Sequence, residues 1–163
     1  MTLGTIEFGI AACKRHLDVT QSWATEIEFF LVQYLLVRIC AEFEARIPLI
    51  IERRCLRSPD VQLSHFAIKS VRYVTKRFSI QDIGTVLKRF DKSYHKAFND
   101  AVVAGNCHVA WDNIYNNRHA VAHGAGIQMT FNDLTMAYKD SLPVLKVLIS
   151  ALELTPEETM DLS

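Results

Sequence analysis

The chain has 163 residues, of which 50% are hydrophobic, and its formal net charge is zero. This length and apolar content suit one domain with a substantial core, and they exclude disorder as the main state. Six glycines and four prolines are too few for a sandwich or barrel that depends on many turns. We therefore expect long helices, while a neutral total charge neither favours nor excludes a polyanionic partner.

The first strong helical pattern covers residues 22–54. Apolar residues recur there at three- and four-residue spacing: Ile27, Phe30, Leu31, Tyr34 and Leu35. The first half of this stretch is apolar almost all round, which predicts a long central helix. Because proline lacks the amide hydrogen that a helix interior uses, we expect Pro48 to kink this helix or divide it in two. Residues 56–60 then form a turn, since Ser58 precedes Pro59.

Shorter helical patterns follow the turn. A helix over residues 61–77 is predicted, with five apolar side chains directed inward: Leu63, Phe66, Ala67, Val71 and Val74. Ser79 and Asp82 have the spacing of a capping box, which predicts a short helix through Phe90. A further helix over residues 93–103 should end at Gly105 and Asn106.

The last third of the chain predicts two more helices. One covers residues 107–123. Thr130 and Asp133 cap the other, which extends to about Leu154 and which Pro143 should kink or break. No segment alternates as a strand would, so the predicted fold class is all-α, an up-and-down helical bundle whose long first helix is kinked or divided. Residues 1–154 form one domain in this prediction, and residues 155–163 form an acidic flexible tail.

The cysteines and the apolar stretches bear on the compartment. Cys13, Cys40, Cys55 and Cys107 are far apart and form no CxxC pair, so we expect reduced, buried thiols. The most apolar run, residues 27–40, is shorter than the roughly 20 residues that span a bilayer, and the N-terminus has no secretory signal pattern. The sequence therefore predicts a cytoplasmic protein without a membrane partner.

The neutral total charge hides a basic middle section. Between residues 53 and 96, eleven basic residues stand against three acidic ones. Such a stretch can bind the phosphates of RNA, and the candidate substrate-binding residues in it are Lys69, Arg72, Lys76 and Arg77. The alternative is that these are ordinary solvated helix faces.

The most distinctive stretch is WDNIYNNRHAVAHGAG, residues 111–126. It places Arg118, His119 and His123 at the end of a predicted helix, which Gly124 and Gly126 should terminate with a left-handed cap. A guanidinium suits a phosphate, and an imidazole exchanges protons near neutral pH. These groups suffice for RNA cleavage without a metal, because a base can activate the 2'-hydroxyl while a cation stabilises the phosphoryl oxygens.

The spacing of these residues adds a constraint. On an ideal helix Arg118 and His123 point about 140° apart, whereas His119 and His123 are neighbours one turn apart. Either the helix end unwinds at Gly124, or two copies of the motif face each other across a two-fold axis. The second arrangement predicts that the active unit is a dimer.

The hexamer RHAVAH, from Arg118 to His123, resembles the RxxxxH signature of HEPN domains, with the closest likeness to the RiboL-PSP and MAE-type groups of prokaryotic defence and toxin systems. The resemblance implies a helical bundle that dimerises through the motif helices. It also implies a metal-independent, cofactor-free endoribonuclease that leaves a 2',3'-cyclic phosphate, with an antitoxin or other regulatory protein as a further partner. The matching catalytic residues are Arg118, His119 and His123.

The same resemblance suggests neighbours for the site. Family members often place an acidic residue of an early helix nearby, for which Glu42 and Glu44 are both candidates. Tyr115, one turn before Arg118, and Asn117 are candidate substrate-binding residues.

Three alternatives stay open. Many HEPN domains lack nuclease activity, so the chain could be a helical dimer that binds a nucleotidyltransferase or other protein partner. In a purely structural interpretation, His123 caps a helix dipole and Arg118 pairs with Asp112 or with a glutamate of the long helix. A zinc site could combine His119 and His123 with His108 or Cys107, but a clear third ligand is missing, so no metal is predicted.

Overall fold

The computed structural model describes residues 3–74, 78–123, 127, 129–155 and 157–162. Every regular element in these ranges is helical, which confirms the predicted all-α bundle. The helices are α1 (Gly4–Thr20), α2 (Glu26–Cys55), α3 (Val61–Val74), α4 (Ile80–Phe90), α5 (Lys92–Ala104), α6 (Cys107–Ala122), α7 (Phe131–Ser141) and α8 (Pro143–Ala151), followed by a 3-10 turn over Glu157–Leu162.

Helix α1 was not predicted, so the long helix is the second in the chain rather than the first. The buried side of α1 carries only a few apolar residues, among them Ile6, Cys13 and Leu17. Gly9 also packs against α2. A Cβ atom at this position would lie only 3.4 Å from the side chain of Leu35. A helix that packs through small residues has a weak apolar pattern, which explains the omission.

Helix α2 is a single element of 30 residues that continues through Pro48, so of the two effects expected of Pro48 the division into two helices is wrong, and the kink stays a prediction. Its buried side carries Leu36, Ile39 and Phe43, among others. Several residues that predicted the helix face outward instead, and the Phe30 side chain is 62% exposed. Pro48 has no amide hydrogen to donate to the carbonyl of Glu44, one turn earlier, so the backbone ladder of α2 lacks one bond there.

Helix α3 differs from its prediction in the side that it buries. Val71 is buried as expected, but Leu63 is 56% exposed and Phe66 is 69% exposed, so their inward placement is wrong. Helix α3 packs against α2 along the edge that carries Ser64 and Val71, and Leu63 and Phe66 project from another side. Residues 75–77, which include two candidate RNA contacts, Lys76 and Arg77, lie outside the described residues.

The predicted helix boundaries are largely confirmed. Ser79 with Asp82, and Thr130 with Asp133, form complete capping boxes at the starts of α4 and α7. Asn106 adopts a left-handed conformation (φ 53°) between α5 and α6. Pro143 begins α8, so the last predicted helix is broken as expected. Gly124 and Gly126, the expected cap of the motif helix, lie outside the described residues.

All four cysteines are free and buried, as the sequence predicts. Burial raises the pKa of the Cys40 thiol to about 12. Burial is also the largest cause of the raised pKa of Cys13, Cys55 and Cys107. These thiols are therefore protonated at neutral pH and do not act as nucleophiles.

The acidic end of the chain contacts α2. Glu158 accepts a hydrogen bond from Arg57 Nε at 2.7 Å, and Arg57 Nη2 also donates to the carbonyl of Glu153 at 2.7 Å. The flexibility predicted for residues 155–163 and the domain boundary at residue 154 stay predictions.

The Glu158–Arg57 pair should make this end of the chain sensitive to acid. The hydrogen bond from Arg57 lowers the pKa of Glu158 to about 2. A lowered pKa means that the contact contributes fully above the unfolded value of about 4.3 and is lost as pH falls toward 2. We expect an NMR titration to find the Glu158 carboxyl still ionised at pH 3.5, and an Arg57→Gln variant to raise its pKa toward, but not to, the ordinary value of about 4.3, because the Thr155 backbone N–H still donates to the carboxylate. Identical titration curves in the two proteins would contradict the pairing.

Candidate functional site

The orientation of helix α6 is fixed by its buried side. Trp111 is 2% exposed and stacks on Phe43 of α2, with ring centroids 4.4 Å apart. Its Nε1–H donates to the carbonyl of Phe78 at 2.7 Å. Ile114, one turn later, is also buried. These contacts leave the end of α6 at the surface of the bundle, where Arg118 and His119 lie in the last turn and His123 follows it.

Arg118 is held by an acidic residue of α2. Its Nη2 lies 3.2 Å from Glu44 Oε1, and the two side chains are 36% and 35% exposed. Glu42, the other candidate acid, pairs instead with Arg46 at 2.8 Å within α2. The spacing of Glu42 and Arg46 is that of a stabilising helix pair, so this feature of the sequence could have singled out Glu44.

The two histidines of the motif contact each other. The rings of His119 and His123 have centroids 4.9 Å apart and meet edge to face at 75°. His123 follows the last residue of α6, and its backbone N–H still bonds to the carbonyls of His119 and Ala120, each at 3.2 Å. The chain therefore keeps its helical course up to His123.

Arg118 and His123 consequently have different partners. Arg118 contacts Glu44 on α2, whereas His123 contacts His119 at the exposed end of α6. The first arrangement that the spacing allowed was unwinding of the helix end: α6 ends at Ala122, and the backbone angles of His123 are no longer helical (φ −98°, ψ 11°). Residues 124–126 lie outside the described part of the chain. The joining of two motifs across a two-fold axis stays a prediction.

The two candidate substrate-binding residues beside the motif have different surroundings. Tyr115 is half-buried and lines a narrow cleft with Cys40 and with Glu44, the partner of Arg118. The side-chain amide of Asn117 donates to the backbone carbonyl of Asn113 at 2.9 Å and to its side-chain oxygen at 2.6 Å. Its donors are thus used inside α6.

The basic residues of α3 lie apart from the motif. Arg72 forms a two-pronged contact with the buried Glu52, at 2.6 and 3.1 Å, and this raises the pKa of Arg72. Lys69 is exposed and lines a shallow depression with Arg72. Glu52 comes eight residues after Glu44 on α2, which is about 12 Å along the helix axis. Lys69 and Arg72 therefore do not join Arg118 in one cluster.

A zinc site through the motif histidines is not assembled. His108 and Cys107 begin α6, so they lie about 22 Å along the helix axis from His123. Within the described ranges, no three side chains of histidine, cysteine, aspartate or glutamate are grouped closely enough to hold a metal ion. Of the helices that can be described, none combines the length and apolar character that a membrane span requires.

Comparisons with known proteins identify no relative of this chain. No family model matches this chain, and neither a curated protein nor a solved structure matches it. The likeness to HEPN domains therefore depends on Arg118, His119 and His123 at a helix end and on the all-α fold. Any function has to be argued from these residues.

Proposed function

We propose that this protein is a metal-independent endoribonuclease of toxin–antitoxin or defence type, which acts in the cytoplasm and is held silent by an antitoxin or another regulatory protein. The observation that carries the proposal is the grouping at the exposed end of α6. This end carries an arginine oriented by a carboxylate of α2 and, separately, two histidine rings that contact each other. The Glu44 contact supports this function because it orients a guanidinium that remains about one third exposed.

Each of the three motif side chains has one role in the proposed reaction. His123 removes the proton from a 2'-hydroxyl, and the resulting oxygen attacks the adjacent phosphorus. His119 donates a proton to the 5'-oxygen as its bond to phosphorus breaks. Arg118 stabilises the negative charge that develops on the phosphoryl oxygens. The products are a 2',3'-cyclic phosphate and a 5'-hydroxyl, and no metal or cofactor takes part.

We infer that two copies of the chain supply these groups to one site. Within one chain Arg118 and His123 have separate partners, which supports an arrangement in which Arg118 of one copy meets His123 of the other. A row of exposed apolar residues lies on α2: Ile27, Phe30, Tyr34 and Val37. Val37 lies two turns before Glu44 on the same side of α2, so a dimer at the motif can also cover this row.

Chelation of metal ions tests the chemistry. The purified protein should cleave single-stranded RNA equally well with and without EDTA, because no step uses a metal ion. The 5' fragments should end in 2',3'-cyclic phosphates, which mass spectrometry detects as a loss of one water relative to a 3'-phosphate. A His16→Ala variant, which removes an exposed histidine of α1, should behave as the wild type. Loss of activity on chelation, or 3'-hydroxyl ends, would contradict the proposal.

The Arg118–Glu44 contact also favours a second candidate function. An arginine that already pairs with a carboxylate can serve the stability of α6 against α2 and nothing more. The chain would then be a non-catalytic helical dimer that binds a protein partner, such as a nucleotidyltransferase. This candidate predicts no RNA cleavage in the assay above, with or without EDTA, and a stable complex with the partner.

A further inference from the structure

A groove of about 660 Å³ opens between α3, α4 and the C-terminal end of α2. Cys55, Val71 and Val86 line it, and each is less than a tenth exposed, so part of its wall is apolar and firmly packed. Volumes of this size are typical of binding sites. The groove shares no lining residue with the Arg118 site, so the role of one can be tested without the other.

The rim of the groove is apolar and open to solvent. Leu63 and Phe66, three residues apart on α3, are both more than half exposed, and Phe90 of α4 is also exposed. A small ligand lying on the buried wall would leave these outer side chains in water. A folded partner would cover the wall and the rim together, which is what a concentrated apolar surface favours.

The polar part of the groove is positively charged. Arg54, Arg57 and Arg89 line it, and no aspartate or glutamate does so among the residues described. Glu158 neutralises Arg57, whereas Arg54 donates to the uncharged hydroxyl of Tyr94 at 2.8 Å. Arg89 forms no ion pair within the described part of the chain. An occupant with acidic residues beside its apolar ones would complement this charge.

We propose that this groove binds an amphipathic helix of a partner protein, with its apolar side against Phe66 and its acidic flank against Arg54 and Arg89. A groove between helices with an apolar wall is the surface on which such helices dock, with anchors at three- and four-residue spacing. Exposed aromatic and arginine side chains are the residues that most often dominate such interfaces. This inference does not rest on the proposed ribonuclease activity.

Two matched peptides test the inference with the full chain. Both are fluorescein-labelled helical peptides of 18 residues with leucine at alternating three- and four-residue spacing. The positions beside the leucines are glutamate in one peptide and lysine in the other, and the remaining positions are alanine. Fluorescence anisotropy should detect saturable binding of the glutamate peptide and at least about tenfold weaker binding of the lysine peptide. Arg89→Glu should abolish the preference for the glutamate peptide, because one negative charge then offsets the remaining charge of Arg54, and Phe66→Asp should abolish binding of both peptides.

The control is Phe8→Asp, which places the same charge on an exposed phenylalanine of α1 and should leave the peptide affinities unchanged. Thermal unfolding of each variant checks that the fold is retained. Equal affinities for the two peptides, or no binding of either, would overturn the inference. Displacement of the peptide by oligouridylate would assign the groove to RNA instead. A change of oligomeric state caused by Phe66→Asp would assign it to a second copy of this chain.

Discussion

Replacing His123 with alanine is expected to lower the rate of RNA cleavage by about 10²–10⁴-fold, because the proposed reaction loses its general base. Arg118→Ala should lower the rate by about 10²–10³-fold, because the charge on the phosphoryl oxygens is then less stabilised. The affinity for RNA should fall mainly in the arginine variant, since a permanent cation is lost there. Rates of cleavage of a fluorescent oligonucleotide measure these effects.

A mixture of the two inactive variants should regain activity. If each site combines Arg118 of one copy with His123 of the other, a mixed dimer has one site with both groups intact and one with neither. Random exchange of subunits makes about half of the dimers mixed, so about a quarter of the wild-type rate should return. If both groups came from the same copy, no mixed dimer would contain an intact site.

Three outcomes would count against this assignment. Wild-type rates in both single variants would place the chemistry elsewhere in the chain. Inactive variants that stay inactive when mixed would contradict a site shared between two copies. The catalytic roles of Arg118 and His123 would not be contradicted by that result. Equal loss of activity in the His16→Ala control would indicate that removal of a histidine acts through stability and not through chemistry.

Trp111→Ala is expected to lower the free energy of unfolding by about 3–5 kcal/mol. The substitution leaves a cavity against Phe43 and removes the hydrogen bond to the Phe78 carbonyl, which lies in the segment before α4. Loss of that partner from a buried carbonyl adds to the cost. Equilibrium unfolding in urea measures the change.

The other tryptophan provides the control for this prediction. Trp23 is only partly buried and meets Phe131 edge to face, with ring centroids 5.6 Å apart. Trp23→Ala should therefore cost clearly less than Trp111→Ala, and Trp111→Phe should retain most of the packing but lose the hydrogen bond. Equal losses for the two alanine variants would contradict a central role for Trp111.

Local signals in the sequence predicted the parts of the fold that local chemistry determines. The capping boxes at Ser79 and Thr130 and the break at Pro143 each depend on residues within one turn of each other, and all three are present. The side of α3 that is buried depends on which helices lie next to it, which no local pattern contains. Leu63 and Phe66 were therefore placed inward although they line an open groove.

The candidate site also combines local features, which the sequence predicted, with contacts between distant residues, which it did not. The position of Arg118 and His119 in the last turn of a helix, and of His123 directly after it, follows from the apolar spacing before them. The pairing of Arg118 with Glu44 joins residues 74 positions apart, and the contact of Arg72 with Glu52 joins α3 to α2. Periodicity indicates which residues share a face, but it does not indicate which two faces meet.

The proline inside α2 separates two regions that both have a proposed role. Glu44, which orients Arg118, precedes the missing backbone bond, and Arg54, which lines the groove, follows it. Without that bond the backbone of α2 is easier to bend at Pro48 than elsewhere along the helix. A change in the bend at Pro48 would alter the angle between the part of α2 that carries Glu44 and the part that carries Arg54.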